Sequence, residues 1–311
     1  MILQTGNRTD IPAFYSEWFA NRLKEGYVLV RNPFNPETIT RYEINREVVD
    51  LIVFCTKNPA PMLQHMNLLS PYRQYWFVTI TPYGREIEPN VPGYEEVIET
   101  FKKISDIVGS AQMCWRYDPI ILNKEWSIAR HIDTFKKMAS ALCGYTDVCV
   151  ISFIDLYNKV RRNYPEVRSV TIDDQLALTK EFVNIGKNYH LTIKPCGEST
   201  VLESVGADCS GCMTVKTFEN AIGHRLNVPP NPNNRSECAC YITGDIGAYN
   251  TCGHLCRYCY ANADSDSVAR NMASHDPLSP VLIGHVTPGD NIHQAKQKSW
   301  IDPQMRIEDF I

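Results

Sequence analysis

The chain reads as an α/β protein: a partial (β/α)6 TIM-type barrel followed by a loop-rich, cysteine-containing C-terminal segment. Three observations predict this. Short apolar runs at 2–5, 51–56, 75–81, 112–117, 148–154 and 190–194 are rich in Val, Ile, Phe and Trp without strict alternation, as strands buried on both faces require. Amphipathic stretches fall between them, and repeated strand–helix alternation implies a parallel sheet. Beyond residue 195 Gly, Pro, Asn and Cys become frequent, as in 227–234, and the βα pattern stops. The six units are fewer than the eight of a complete barrel. An open doubly wound sheet is the alternative. The expected organisation is a βα-repeat barrel over 1–195, with a cysteine-rich segment over 196–311 packing on its rim.

The helical stretches have recognisable ends. The helix over 13–24 follows Pro12, a favourable first-turn residue, and stops at Gly26. That over 94–108 places Val97, Ile98, Phe101, Ile104 and Val108 on one face, with Gly109 as its stop. Helices over 124–142 and 173–187 complete the series, the second favoured at its start by Asp173 and Asp174. A short apolar run at 27–30 pairs at an edge or only packs, and 291–311 carries no pattern that assigns it to the barrel.

A chain of 311 residues that is 44% hydrophobic can bury a sizeable core. Its net charge of −4 provides no basic field for nucleic acid. The first eight residues lack the basic, then apolar, character of a signal peptide. No segment approaches the roughly 20 apolar residues that span a bilayer. The expected location is the cytoplasm.

In a parallel sheet the C-terminal strand ends converge on one rim, where ligands bind. The polar residues there are Arg8 and Asp10, Lys57 and Asn58, Thr81 and Tyr83, Arg116 and Asp118, Asp155 and Tyr157, and Lys194 and Glu198. Arg8, Asp10, Lys57, Arg116 and Asp118 are the candidate catalytic residues, and Tyr83 and Lys194 candidate cofactor contacts. Arg8, Lys57, Arg116 and Lys194 are the rim cations for an anionic ligand. Pro12, Pro59, Pro82 and Pro119 follow several of these residues, so turn and helix-start chemistry explains part of the same pattern.

The 12 cysteines crowd toward the end of the chain. With no export signal they read as thiols or metal ligands rather than disulfides. Cys252, Cys256 and Cys259 follow a C-x3-C-x2-C spacing, with Tyr258 just before the last. Three such thiolates can hold three irons of a [4Fe–4S] cubane and leave the fourth open to an amine and a carboxylate. The other reading is a structural zinc with His254 or a distant residue as fourth ligand. A second set, Cys196, Cys209, Cys212, Cys238 and Cys240, supplies four ligands for a second [4Fe–4S] cluster or a zinc ion. These are Cys196, Cys212, Cys238 and Cys240, with Cys212 preferred to Cys209. Cys55, Cys114, Cys143 and Cys149 sit in apolar runs and read as core. No dinucleotide, Walker A, zincin or nucleophile-elbow motif is present.

The run from Cys252 to Tyr260 resembles the signature of radical S-adenosylmethionine (SAM) enzymes. That resemblance implies Cys252, Cys256 and Cys259 as cluster ligands and Tyr258 as an aromatic group near the adenine. It implies SAM as cosubstrate, an electron donor such as flavodoxin or ferredoxin, and reductive cleavage of SAM to a 5′-deoxyadenosyl radical that acts on an unidentified substrate. Longer stretches resemble an uncharacterised bacterial family defined by a domain of unknown function with a C-terminal triad of this kind. They are 8–12, 56–59, 81–84, 115–119 and 245–252, running into 258–262. Two features depart from the usual radical SAM pattern. The triad follows the last strand rather than the first, and no Gly-Gly-Glu run is present to meet the methionyl amine. The alternatives are therefore cluster-dependent transfer of the 3-amino-3-carboxypropyl group of SAM, or a non-catalytic zinc protein.

Overall fold

The computed structural model describes residues 1–230, 238–241 and 243–303, so part of the proline-rich run, 231–234, and the end of the tail, 304–311, lie outside the described residues. The chain opens with β1 (Ile2–Gln4), α1 (Ile11–Phe14) and α2 (Ser16–Glu25), then a hairpin of β2 (Tyr27–Arg31) and β3 (Thr38–Glu43). Strands and helices then alternate through β4 (Leu51–Thr56), α3 (Met66–Leu69), β5 (Gln74–Thr79), α4 (Tyr94–Val108), β6 (Met113–Ile120), α5 (Ile128–Leu142) and β7 (Val148–Phe153). Helices α6 (Asn158–Asn163) and α7 (Ile172–Asn188) lead to β8 (Thr192–Pro195). Beyond it lie α8 (Val215–Ile222), α9 (Ser265–Ala273) and β9 (Asn291–Gln294).

Strands β1, β4, β5, β6, β7 and β8 form one parallel sheet in that order. Each new strand joins the edge left by the one before. The reversal of order that marks a doubly wound sheet is absent among the described strands. Nor do those strands close a barrel, because β8 and β1 are not paired with each other. Irregular backbone lies between the two edges. Gln4 bridges in parallel to Asp245 on the β1 side, and the Asp208 amide donates to Ile193 O on the β8 side. Between them the Tyr241 amide donates to Met213 O, and Gln4 Nε2 donates to Tyr241 O.

The strands of this sheet are apolar and buried along most of their length, and their side chains join one hydrophobic core. Phe54 stacks on Trp76 with ring centroids 4.0 Å apart. Trp115 stacks on Phe135, which stacks in turn on Phe182 at 3.9 Å, so β6, α5 and α7 share one aromatic column. All of these rings are fully buried.

Several boundaries differ from expectation, each for a local reason. The helix expected over 13–24 is two helices meeting at Tyr15, whose amide still bonds to Ile11 O. The third helix starts at Ile128 rather than 124 because Ser127 caps it, while Asn123 Oδ1 takes up the amides of Glu125 and Trp126 in a turn. Thr171 caps α7, with Asp173 and Asp174 in its first turn. The 27–30 run belongs to a separate three-stranded sheet, β2-β3-β9, in which β9 from the tail lies parallel to β3. Of the four cysteines expected in the core, Cys114 and Cys149 are buried and Cys55 is half-buried. Cys143 is exposed, because it caps the end of α5 where the chain turns outward. Among the described residues no helix is long and apolar enough to cross a membrane.

Candidate metal centres

All six strands of the large sheet run the same way, so the segments after them share one rim. The loop bearing Cys252, Cys256 and Cys259 is docked across it. His254, between the first two cysteines, makes the main attachment. Its Nε2 lies 2.9 Å from Asp10 Oδ2, and its Nδ1 lies 3.2 Å from Asn90 O. Asp10 also accepts from the amides of Ala13 and Lys57, so one carboxylate caps α1, holds the segment after β4 and fixes the cysteine loop. Asn90 Nδ2 donates to Gly253 O, the Arg257 amide donates to Ile87 O, and Lys159 Nζ donates to Tyr260 O. Tyr260 OH donates to Asn7 O. The loop therefore touches segments that follow β1, β5 and β7. Gly253 permits the close approach, since a Cβ there would stand 2.8 Å from the Phe14 ring. Leu255 turns the chain through the left-handed region at φ 55°.

Cys256 is buried, and Cys252 and Cys259 are half-buried. Burial pushes all three thiols up, and neighbouring Asp10 and cysteines add to this at Cys252. Three such thiolates are stable together only beside a cation, which is what a metal or cluster provides. Both nitrogens of His254 face other acceptors, so this histidine is not available as a fourth ligand. The three sulfurs do not share one ion-sized sphere, whereas those of the second cysteine set do.

Beside Cys256 lies a buried polar knot absent from the sequence-based expectations. Glu88 Oε1 accepts from Lys57 Nζ at 2.8 Å, from Thr81 Oγ1 at 2.7 Å and from Tyr258 OH. Burial works against the Lys57 ammonium, but Glu88, together with Cys256 and Asp118, more than offsets it and raises its pKa. Glu88 Oε2 is buried and has no hydrogen-bond partner among the described residues. A buried acceptor of this kind is costly unless something donates to it. Its one sequence signal is an acidic residue in the Gly- and Pro-containing loop after β5.

The four rim cations are each paired with an acid. Arg8 Nε donates to Asp245 at 2.6 Å, Lys57 pairs with Glu88, Arg116 Nε donates to Asp118 at 3.0 Å, and Lys194 pairs with Asp208 at 2.8 Å. Arg8, Asp10 and Lys57 lie under or beside the triad loop. Asp118 also accepts from Ser152 Oγ, and Arg116 Nη2 approaches Cys196 Sγ at 3.8 Å. Tyr83 is built into the wall, donating to Pro119 O and accepting from the Ile121 amide.

In the second set, Cys212 Sγ lies 3.2 Å from Cys196 Sγ and 3.3 Å from Cys240 Sγ. All three sulfurs lie within 4.8 Å of one another, a geometry that can hold a metal ion. Hydrogen bonds from Cys212 and Cys240 pull the Cys196 thiol well down, and the reciprocal bond raises Cys212. Cys209 and Cys238 line the same cavity, of about 420 Å³, without joining the three. Glu198 also lines it, its carboxyl pushed up to about 7 by burial.

Fold and sites together define a mixed α/β protein with a six-stranded parallel sheet whose strand-end rim carries two groups of cysteines. Residues 2–261 match the model of a domain of unknown function, DUF1848, and the chain belongs to that family. No curated protein and no solved structure matches the chain.

Proposed function

We propose that this protein is a radical SAM-type iron–sulfur enzyme on a partial TIM-type barrel. Cys252, Cys256 and Cys259 are the ligands for a [4Fe–4S] cluster whose fourth iron is left for SAM. Cluster and SAM, when bound, supply one-electron reductive cleavage chemistry. The observation that carries the reading is the unpartnered Glu88 Oε2 beside Cys256. A buried acceptor next to an open metal corner suits the ammonium of the methionyl end, the role for which no Gly-Gly-Glu run was found. Lys57, Thr81 and Tyr258 fix the carboxylate by occupying its other oxygen, so that Oε2 is aimed without reorganisation.

Two further observations support this reading over a tetrahedral zinc at the triad. His254 is committed to Asp10 and Asn90. The triad sulfurs are not gathered around one ion, which suits ligands of separate irons. The sequential winding of the sheet supports a TIM-type ancestry for the rim. A flavodoxin or ferredoxin is the expected electron donor, and the protein is expected to act in the cytoplasm. The direct test is electron paramagnetic resonance of the anaerobically reduced protein. A cubane signal that changes on adding SAM is expected; a cubane indifferent to SAM counts against the proposal.

A further inference from the structure

The second cysteine set is a centre of a different kind. We propose that Cys196, Cys212 and Cys240 bind a single zinc ion, that Cys238 closes the tetrahedron, and that this ion ties together the two open edges of the parallel sheet. The inference does not depend on radical chemistry at the triad.

Distance is the first argument. Four thiolates about 2.3 Å from one tetrahedral zinc lie about 3.8 Å from each other. The observed 3.2 and 3.3 Å separations need only a slight expansion to reach this. Cysteines on different corners of a cubane stand much further apart, because each binds its own iron. The donor set is the second argument, since four thiolates at tetrahedral corners are a structural zinc site, with a single iron as the competitor that metal analysis separates from it. Charge is the third. A dication with four thiolates carries a net charge of −2, and the Arg116 guanidinium, 3.8 Å from Cys196 Sγ, is placed to offset part of it. For the fourth ligand, Cys238 lies on the cavity wall two residues from Cys240. Cys209 lines the same cavity but is the cysteine of the C-x2-C pair that does not join the three.

The position gives the ion its role. Cys196 follows β8, the edge strand. Cys240 adjoins Tyr241, which accepts a hydrogen bond from Gln4 of β1, the other edge. The loop between the edges packs Leu202, Phe218 and Tyr241 into the main core, but among the described residues no strand pairing joins β8 to β1, and a metal there adds the missing cross-link. The same strand of chain then runs through Asp245 into the triad loop.

The test separates the two centres. In the Cys252→Ala/Cys256→Ala/Cys259→Ala variant, one zinc per chain is expected, with no iron or acid-labile sulfide. Cobalt substitution of that variant should give the intense charge-transfer bands of tetrahedral thiolate coordination. Cys209→Ser should keep the zinc. Because Cys212→Ser is open to misfolding, zinc-edge X-ray absorption of the wild-type protein provides the second measurement, with four sulfurs expected. Iron in the triad-less variant, with or without sulfide, would overturn the proposal, as would a metal-free protein with a disulfide among the three cysteines. Three sulfurs and one lighter donor would overturn Cys238 as the fourth ligand.

Discussion

His254 Nε2 and Asp10 Oδ2, 244 residues apart in sequence, lie 2.9 Å apart and join the cysteine loop to the segment after the first strand. Asp10 holds two backbone amides as well, so it is the point through which the loop, α1 and the β4 exit are aligned. Asp10→Ala leaves three donors without an acceptor, one buried and two partly buried. At about 1 kcal/mol or more for each, a loss on the order of 3 kcal/mol is expected. Urea unfolding of the wild type and the variant measures it. Asp10→Ala should also bind iron poorly after reconstitution, because the loop loses its anchor.

Glu88 is the residue on which SAM affinity should depend. Glu88→Gln keeps the shape but loses the charge that meets the methionyl ammonium. A charge-assisted hydrogen bond is worth about 1.5–3 kcal/mol, so SAM binding should weaken on the order of 10- to 100-fold. Equilibrium binding to the reconstituted protein reads this directly, with iron content unchanged. Unaltered SAM affinity would remove Glu88 from the site.

His131 in α5 gives the fold a defined acid sensitivity. It is fully buried; its Nε2 donates to Ile121 O and its Nδ1 lies 2.7 Å from Tyr117 OH, a pairing that the neutral ring satisfies with the hydroxyl donating. Burial lowers its pKa from 6.5 to about 4. The unfolded chain therefore takes up a proton before the folded one does. The stabilisation is fully present above pH 6.5 and declines as the pH falls toward 4, by about 3 kcal/mol in all. The pH dependence of unfolding should be flatter by this amount in His131→Phe than in the wild type.

The main sheet was legible because its strands are buried on both faces, and continuous runs such as Leu51–Thr56 leave little else for them to be. Strand β3 was not, because Thr38–Glu43 is mostly polar and its second neighbour, β9, lies about 250 residues away. The break at Tyr15 was hidden because an apolar residue at a helix junction looks like one inside a helix. Spacing marked out both cysteine groups, but only distances separate one shared sphere from three independent sulfurs. The importance of Glu88 was invisible for the same reason: its partners come from positions 57, 81 and 258, and no local pattern announces them.

The central claim is tested most directly by analysing SAM after incubation with anaerobically reconstituted, dithionite-reduced protein. The account predicts 5′-deoxyadenosine and methionine from the wild type and neither from Cys256→Ala. Intact SAM, or methylthioadenosine as the product, would contradict it.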